Sequence, residues 1–127
     1  MRRILVAGNW KMNGSKESIG HLLGGVVSGL AQASDVDVLV CPPFPYLAHA
    51  QDLLAGTNVA LGAQNASEHT PGAFTGEVAV EMLTDFGCEY VIVGHSERRA
   101  LYGETDAQVA HKFETAQSLS LIHISEP

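Results

Sequence analysis

Four short, largely apolar runs punctuate the chain: Ile4-Leu5-Val6-Ala7, Val36 to Cys41, Val59-Ala60-Leu61 and Tyr90-Val91-Ile92-Val93. Each is bounded by Gly, Pro or Asn, and continuous apolar runs of this length predict strands of a sheet covered on both faces. Between the first two, Ile19, Leu22, Leu23, Val26, Val27 and Leu30 recur at helical spacing. They predict a helix over 15–33 that Ser15 or Ser18 can cap; Gly24 and Gly25 weaken it without ending it. A second helix is predicted over 45–54, with Pro45 in its first turn. A third runs from Gly76 or Glu77 to Phe86 and is stopped by Gly87, and a fourth covers 106–117. Strand followed by helix, repeated with brief connections, predicts a parallel α/β fold with right-handed crossovers. No linker or low-complexity tract divides it.

Composition narrows the function classes. A chain of 127 residues with 46% hydrophobic content describes one modest globular domain or a piece of a larger one. The net charge of −7, with Arg2-Arg3 and Arg98-Arg99 as the only paired cations, argues against nucleic acid as a partner. The apolar stretch after Met1-Arg2-Arg3 stops at Gly8-Asn9, too short for an export signal, and no run approaches the length of a membrane span. Cys41 and Cys88 sit in apolar surroundings, which fits reduced thiols and a cytoplasmic location. The six histidines are scattered, without HExxH or Cys-x-x-Cys spacing, so no metal site is expected from local sequence.

In parallel α/β folds ligands meet the carboxyl ends of the strands. Here those ends carry Gly8-Asn9-Trp10-Lys11-Met12-Asn13, then Pro42-Pro43-Phe44, then Gly62-Ala63-Gln64-Asn65, then Gly94-His95-Ser96-Glu97. A lysine supplies a point charge for a phosphate or an oxyanion, an asparagine amide a neutral donor, and a histidine a donor to a carbonyl. Asn9 and Lys11, two positions apart, would lie on the same side of an extended segment. Such a rim suits a phosphorylated carbonyl compound.

The stretches AGNWKMN (7–13), GAQNASEHTPGAFTGE (62–77) and VGHSERR (93–99) resemble the triosephosphate isomerase family, in the family's order and over about residues 1–117. That resemblance implies the N-terminal half of a (β/α)₈ TIM barrel, about four βα units, in an aldose–ketose isomerase that needs no cofactor and no metal. It implies His95 as the catalytic electrophile, kept neutral by the start of a short helical turn at Ser96-Glu97; this family is itself the standard example of that tuning. Asn9 and Lys11 take substrate-binding roles, and Ser96 and Glu97 support them, with Ser96 equally readable as a helix cap. A connection as long as 64–77 is often functional, and the resemblance implies a homodimer in which Thr75 reaches the partner's site near Asn9 and Lys11, with Glu77, Arg98 and Glu104 at or beside the interface. His21, His49, His69, His111 and His123 receive no role.

Residues 118–127 depart from the family pattern and read as a tail, natural or artefactual, although the alternation of Leu119, Leu121, Ile122 and Ile124 also fits a fifth strand. Family members run to roughly 250 residues, about twice this length. The resemblance therefore places the glutamate base, the mobile lid and the later phosphate-gripping loops outside these residues. The expectation is a chain inactive by itself, with open sheet edges and a tendency to aggregate. The alternative is a half-barrel that binds phosphate or self-associates without catalysis.

Overall fold

The structure, a computed structural model, describes residues 3–30 and 35–125. Five strands and five helices follow in order: β1 (Ile4–Asn9), α1 (Lys16–Leu30), β2 (Val36–Cys41), α2 (Leu47–Leu54), β3 (Val59–Ala63), α3 (Val80–Asp85), β4 (Cys88–Ile92), α4 (Ser96–Tyr102), α5 (Asp106–Ser118) and β5 (Ile122–Ile124). One turn of 3-10 helix, Phe44–Tyr46, precedes α2. All strands are parallel and lie in sequence order, β1-β2-β3-β4-β5. That order never reverses, so no doubly wound crevice forms, and the sheet curls in one direction as half of a barrel does.

Two apolar layers confirm this geometry. Ile19 and Leu23 of α1, Leu47, Ala50 and Leu54 of α2, Val80 and Leu83 of α3 and Ala116 of α5 pack with Val40, Leu61 and Val91 of the sheet. On the opposite face Leu39, Cys41 and Ile92, with Ala60, Tyr90 and Ile124, form a separate cluster drawn from strands alone. The second layer is the interior of the half-barrel. Gly62 serves it directly: a Cβ there would lie 2.8 Å from Cys41 Sγ, and the β3–β4 register shifts at this residue. No described helix is long and apolar enough to cross a membrane.

Several expectations change in contact with the structure. β1 is not covered on both faces: Ile4 and Val6 are at least half exposed, because among the described residues β1 pairs on one side only. The third helix starts at Val80 rather than at Gly76 or Glu77. Gly76 is left-handed at φ 89°, Glu77 N–H turns back to Phe74 O, and Ser67 N–H pins Val78 O at 2.8 Å, so the chain stays extended up to Ala79. The fourth strand begins at Cys88 and ends at Ile92, though Val93 N–H still reaches Ile124 O. α1 is described to Leu30, and residues 31–33 of the predicted helix lie outside the described residues. The fifth strand forms, at Ile122–Ile124, beside β4.

Gly94 is where the fold positions the site. Its φ of 67° turns the chain sharply from β4 into α4, and a Cβ there would meet Val109 Cγ1 of α5 at 2.8 Å. Gly103, at the end of α4, has the same φ of 67° but open space around it. The pair separates backbone strain from crowding. Gly103→Ala is expected to cost about 1 kcal/mol, the low end for a left-handed non-glycine residue. Gly94→Ala is expected to cost roughly 1–3 kcal/mol more, from overpacking against Val109. Urea denaturation of both variants checks this; equal costs would mean that α5 yields without penalty.

Candidate functional site

A cavity of about 320 Å³ opens at the carboxyl ends of the strands, lined by Asn9, Lys11, Gln64, Asn65, His95, Glu97 and Arg98 with an apolar rim. Its polar residues come from the ends of β1, β3 and β4 and from α4, as strand-end chemistry in a parallel barrel requires.

His95 caps α4. Its ring is nearly buried, at 8% exposure, and Nδ1 accepts the Glu97 backbone N–H at 3.0 Å. An accepting Nδ1 carries no proton, so the neutral ring holds its proton on Nε2. The side chain thus satisfies an orphan N–H of the helix start while being fixed in one tautomer. Ser96, read as a possible cap, is exposed and does not line the cavity; the cap is His95 itself.

Lys11 stands in the left-handed region at φ 55°, a conformation that costs a non-glycine residue about 1–3 kcal/mol. Two amides hold it there. Asn9 Oδ1 accepts the Lys11 N–H at 2.9 Å, and Gln64 Nε2 donates to the Lys11 carbonyl at 2.8 Å and to the Cys41 carbonyl at 2.8 Å. The expectation that alternation along an extended segment aligns Asn9 and Lys11 is therefore replaced. β1 ends at Asn9, and a clamped turn brings both residues to the cavity. Lys11 Nζ meets Glu97 Oε1 at 2.6 Å, with both side chains about half exposed. The hydrogen bond from Lys11 is the main influence holding the Glu97 carboxyl below its ordinary range, against a smaller opposing effect of desolvation.

Beside the cavity lies an ion cluster. Glu104 Oε2 accepts Lys112 Nζ at 2.6 Å and Arg98 Nε at 3.0 Å, and Lys112 also donates to Asn65 Oδ1 at 2.9 Å. Glu104 and Lys112 are buried, at 8% and 7% exposure. Burial is the largest single influence on the Glu104 carboxyl and pushes it up, but the hydrogen bonds from Lys112 and Arg98 outweigh it and the net direction is down. Arg98 also sits over the Tyr102 ring, 5.2 Å from its centroid.

The structure therefore brings Asn9, Lys11, His95, Glu97 and Arg98 to one cavity and keeps Glu104 just behind it. Thr75 and Glu77 lie elsewhere, exposed on the loop between β3 and α3, where Phe74 stacks on His69 with centroids 4.1 Å apart. Three contributors escaped the sequence reading. Gln64 and Asn65 were visible as rim residues without a role. Lys112 left a detectable signal, a lysine set in the stripe Val109, Lys112, Phe113 and Ala116 that faces the sheet. Burial also pushes the Cys88 thiol up to about 11, which makes it an inert core residue.

The triosephosphate isomerase family model matches residues 4–125, past residue 117 and through β5. Triosephosphate isomerases of Dechloromonas aromatica and Thiobacillus denitrificans are 55% and 57% identical, each over 98% of this chain and 49% of the relative. The crystal structure of triosephosphate isomerase from Bartonella henselae superposes with a TM-score of 0.90 at 40% identity, covering 98% of this chain and 51% of that one. The chain spans about half the length of the curated relatives it matches.

The buried cluster predicts an acid limb of stability. A carboxyl depressed in the folded state stabilises fully above its unfolded value, ordinarily 4.5, and loses that contribution as pH falls through the lower folded value. Glu104→Gln leaves Lys112 without its buried counter-charge and is expected to lower neutral-pH stability by about 3 kcal/mol. The variant is also expected to show a shallower stability loss below pH 4.5 than the parent, measured by urea titration across pH.

Proposed function

The chain belongs to the triosephosphate isomerase family, and we propose that it contributes the electrophile and substrate-anchoring half of a site that interconverts dihydroxyacetone phosphate and glyceraldehyde 3-phosphate. The observation that carries this reading is the Glu97 N–H on His95 Nδ1, beside Lys11 and Asn9, which leaves the ring proton to Nε2. With the proton on Nε2, neutral His95 donates to the substrate carbonyl and polarises it. A carboxylate then takes the carbon-bound proton, leaving an enediolate whose charge Lys11 offsets. His95 moves a proton between the two substrate oxygens, and return of the proton to the neighbouring carbon gives the other isomer. Neither a cofactor nor a metal enters this sequence.

The base is the part that these residues do not offer. Among the residues lining the cavity Glu97 is the only carboxylate, and it is tied to Lys11. The proposal is therefore that the 127-residue chain is inactive by itself, with the base, a water-excluding lid and further phosphate contacts supplied from elsewhere in a complete barrel. In that assembly the protein is a cytoplasmic homodimer of glycolysis and gluconeogenesis. Thr75 reaches the partner's site, and Glu77, Arg98 and Glu104 lie at or beside the interface. The exposure of Phe74 on the loop, of Met12 beside Lys11, and of Leu101 and Tyr102 on α4 supports such a contact. Residues 118–127 remain a proposed tail, natural or artefactual, with β5 in the position of the fifth barrel strand.

A second reading, phosphate binding without catalysis, is favoured by the same Lys11 charge in a site that lacks a base. A coupled isomerase assay on the purified chain, with His95→Gln as the control, tests the first reading, and a thermal shift with inorganic phosphate tests the second. The expected result is no turnover above the control, together with a rise in Tm on adding inorganic phosphate that Lys11→Ala abolishes. Turnover above the control would make Glu97 or another carboxylate of this chain a working base. No phosphate shift would reject the binding reading.

A further inference from the structure

We propose that Lys112 is a positioning residue for the substrate-binding cation Lys11, acting through Asn65 and Gln64 on the backbone of Lys11. It rests on the reading above only in taking Lys11 as the group that meets substrate.

The chain of contacts is continuous. Lys112 Nζ is nearly buried in the middle of α5 and donates to Asn65 Oδ1 at 2.9 Å and to Glu104 Oε2 at 2.6 Å. Asn65 follows Gln64, whose amide spans to the Lys11 carbonyl and to the Cys41 carbonyl, both at 2.8 Å. The Cys41 carbonyl also accepts the Trp10 N–H at 3.2 Å. Lys11 itself rests at φ 55°, where it stays only if its neighbours hold it.

A surface lysine would cost nothing to place on α5. A buried one is costly unless it is fully engaged, and its engagement here fixes the two residues after β3. The same helix grips this segment again on either side of Lys112, where Thr115 Oγ1 donates to Glu68 O at 3.2 Å and His111 Nδ1 meets Glu68 Oε2 at 3.0 Å. Helix α5 therefore anchors the start of the loop, and Gln64 passes that anchorage to Lys11. Lys112 touches no substrate in this scheme.

Trp10, the single tryptophan of the chain, lies beside Lys11 and reports on the clamp. The experiment is acrylamide quenching of Trp10 fluorescence in the 127-residue chain, with far-UV circular dichroism confirming the fold. Asn65→Ala removes the contact with Lys112 without emptying the core, so it keeps the test valid where Lys112→Met fails to fold. Asn65→Asp retains the acceptor, and Gln64→Leu removes the clamp. Asn65→Ala and Gln64→Leu are each expected to raise the quenching constant about two-fold, and the double variant no further, since residues in one network are not additive. Asn65→Asp is expected to match the parent. An unchanged quenching constant in Asn65→Ala, additive effects in the double variant, or no effect of Gln64→Leu would overturn the proposal. None of these readings involves turnover, so their failure leaves the proposed function standing, and absence of isomerase activity in the complete enzyme would leave the clamp standing.

Discussion

One backbone hydrogen bond sets the chemistry of the rim: the Glu97 N–H pointing at His95 Nδ1. It exists because Gly94 lets β4 break into α4 within three residues, so that the imidazole caps the helix it introduces. Replace that turn with a smoother one and the ring is free to carry its proton on either nitrogen. A donor whose proton position is undecided has to reorganise during reaction, whereas a fixed one is already oriented toward developing charge. The helix is short, and its value lies in supplying an N–H at the right place rather than in any large dipole.

Lys11 is held on the same logic by different means. Its left-handed backbone is strained, and strain persists where surrounding structure over-determines it. Asn9 takes its N–H, Gln64 takes its carbonyl, and Glu97 takes its ammonium. Glu97 thus serves both residues, its main chain on His95 and its side chain on Lys11. This double use couples the electrophile to the cation, and it keeps the one carboxylate of the cavity occupied as a partner.

Much of the fold was legible because the strands are short, largely apolar runs and α1 repeats its apolar residues at helical spacing. The starts of α4 and α5 were legible as well: Thr105 and Gln108 form a reciprocal cap in front of a periodic segment. The start of α3 was not. Glu77 to Ala79 have the composition of a helix entrance, and the left-handed Gly76 together with the bond between Ser67 and Val78, eleven positions apart in sequence, keeps α3 from starting there. The cavity residues were readable from the rule that strand ends carry function and from the motifs that contain them. Their geometry was not readable, because it depends on a glutamine amide that bridges to Lys11 across 53 positions of sequence. Lys112 left its place in an apolar stripe as a signal but not its partners: its burial follows from a carboxylate and an amide delivered by the segments after α4 and β3.

The half-barrel explains which residues look misplaced. Ile4 and Val6 on β1 and Ile122 on β5 are exposed apolar side chains on the two strands that, among the described residues, pair on one side only. The account stands or falls on His95. Its ring ¹⁵N chemical shifts at neutral pH, with the resonance assigned through a His95→Gln variant, read the tautomer directly. The account predicts a bare, accepting Nδ1 and a protonated Nε2; a proton on Nδ1 would contradict it, since the Glu97 N–H could not then be donating there.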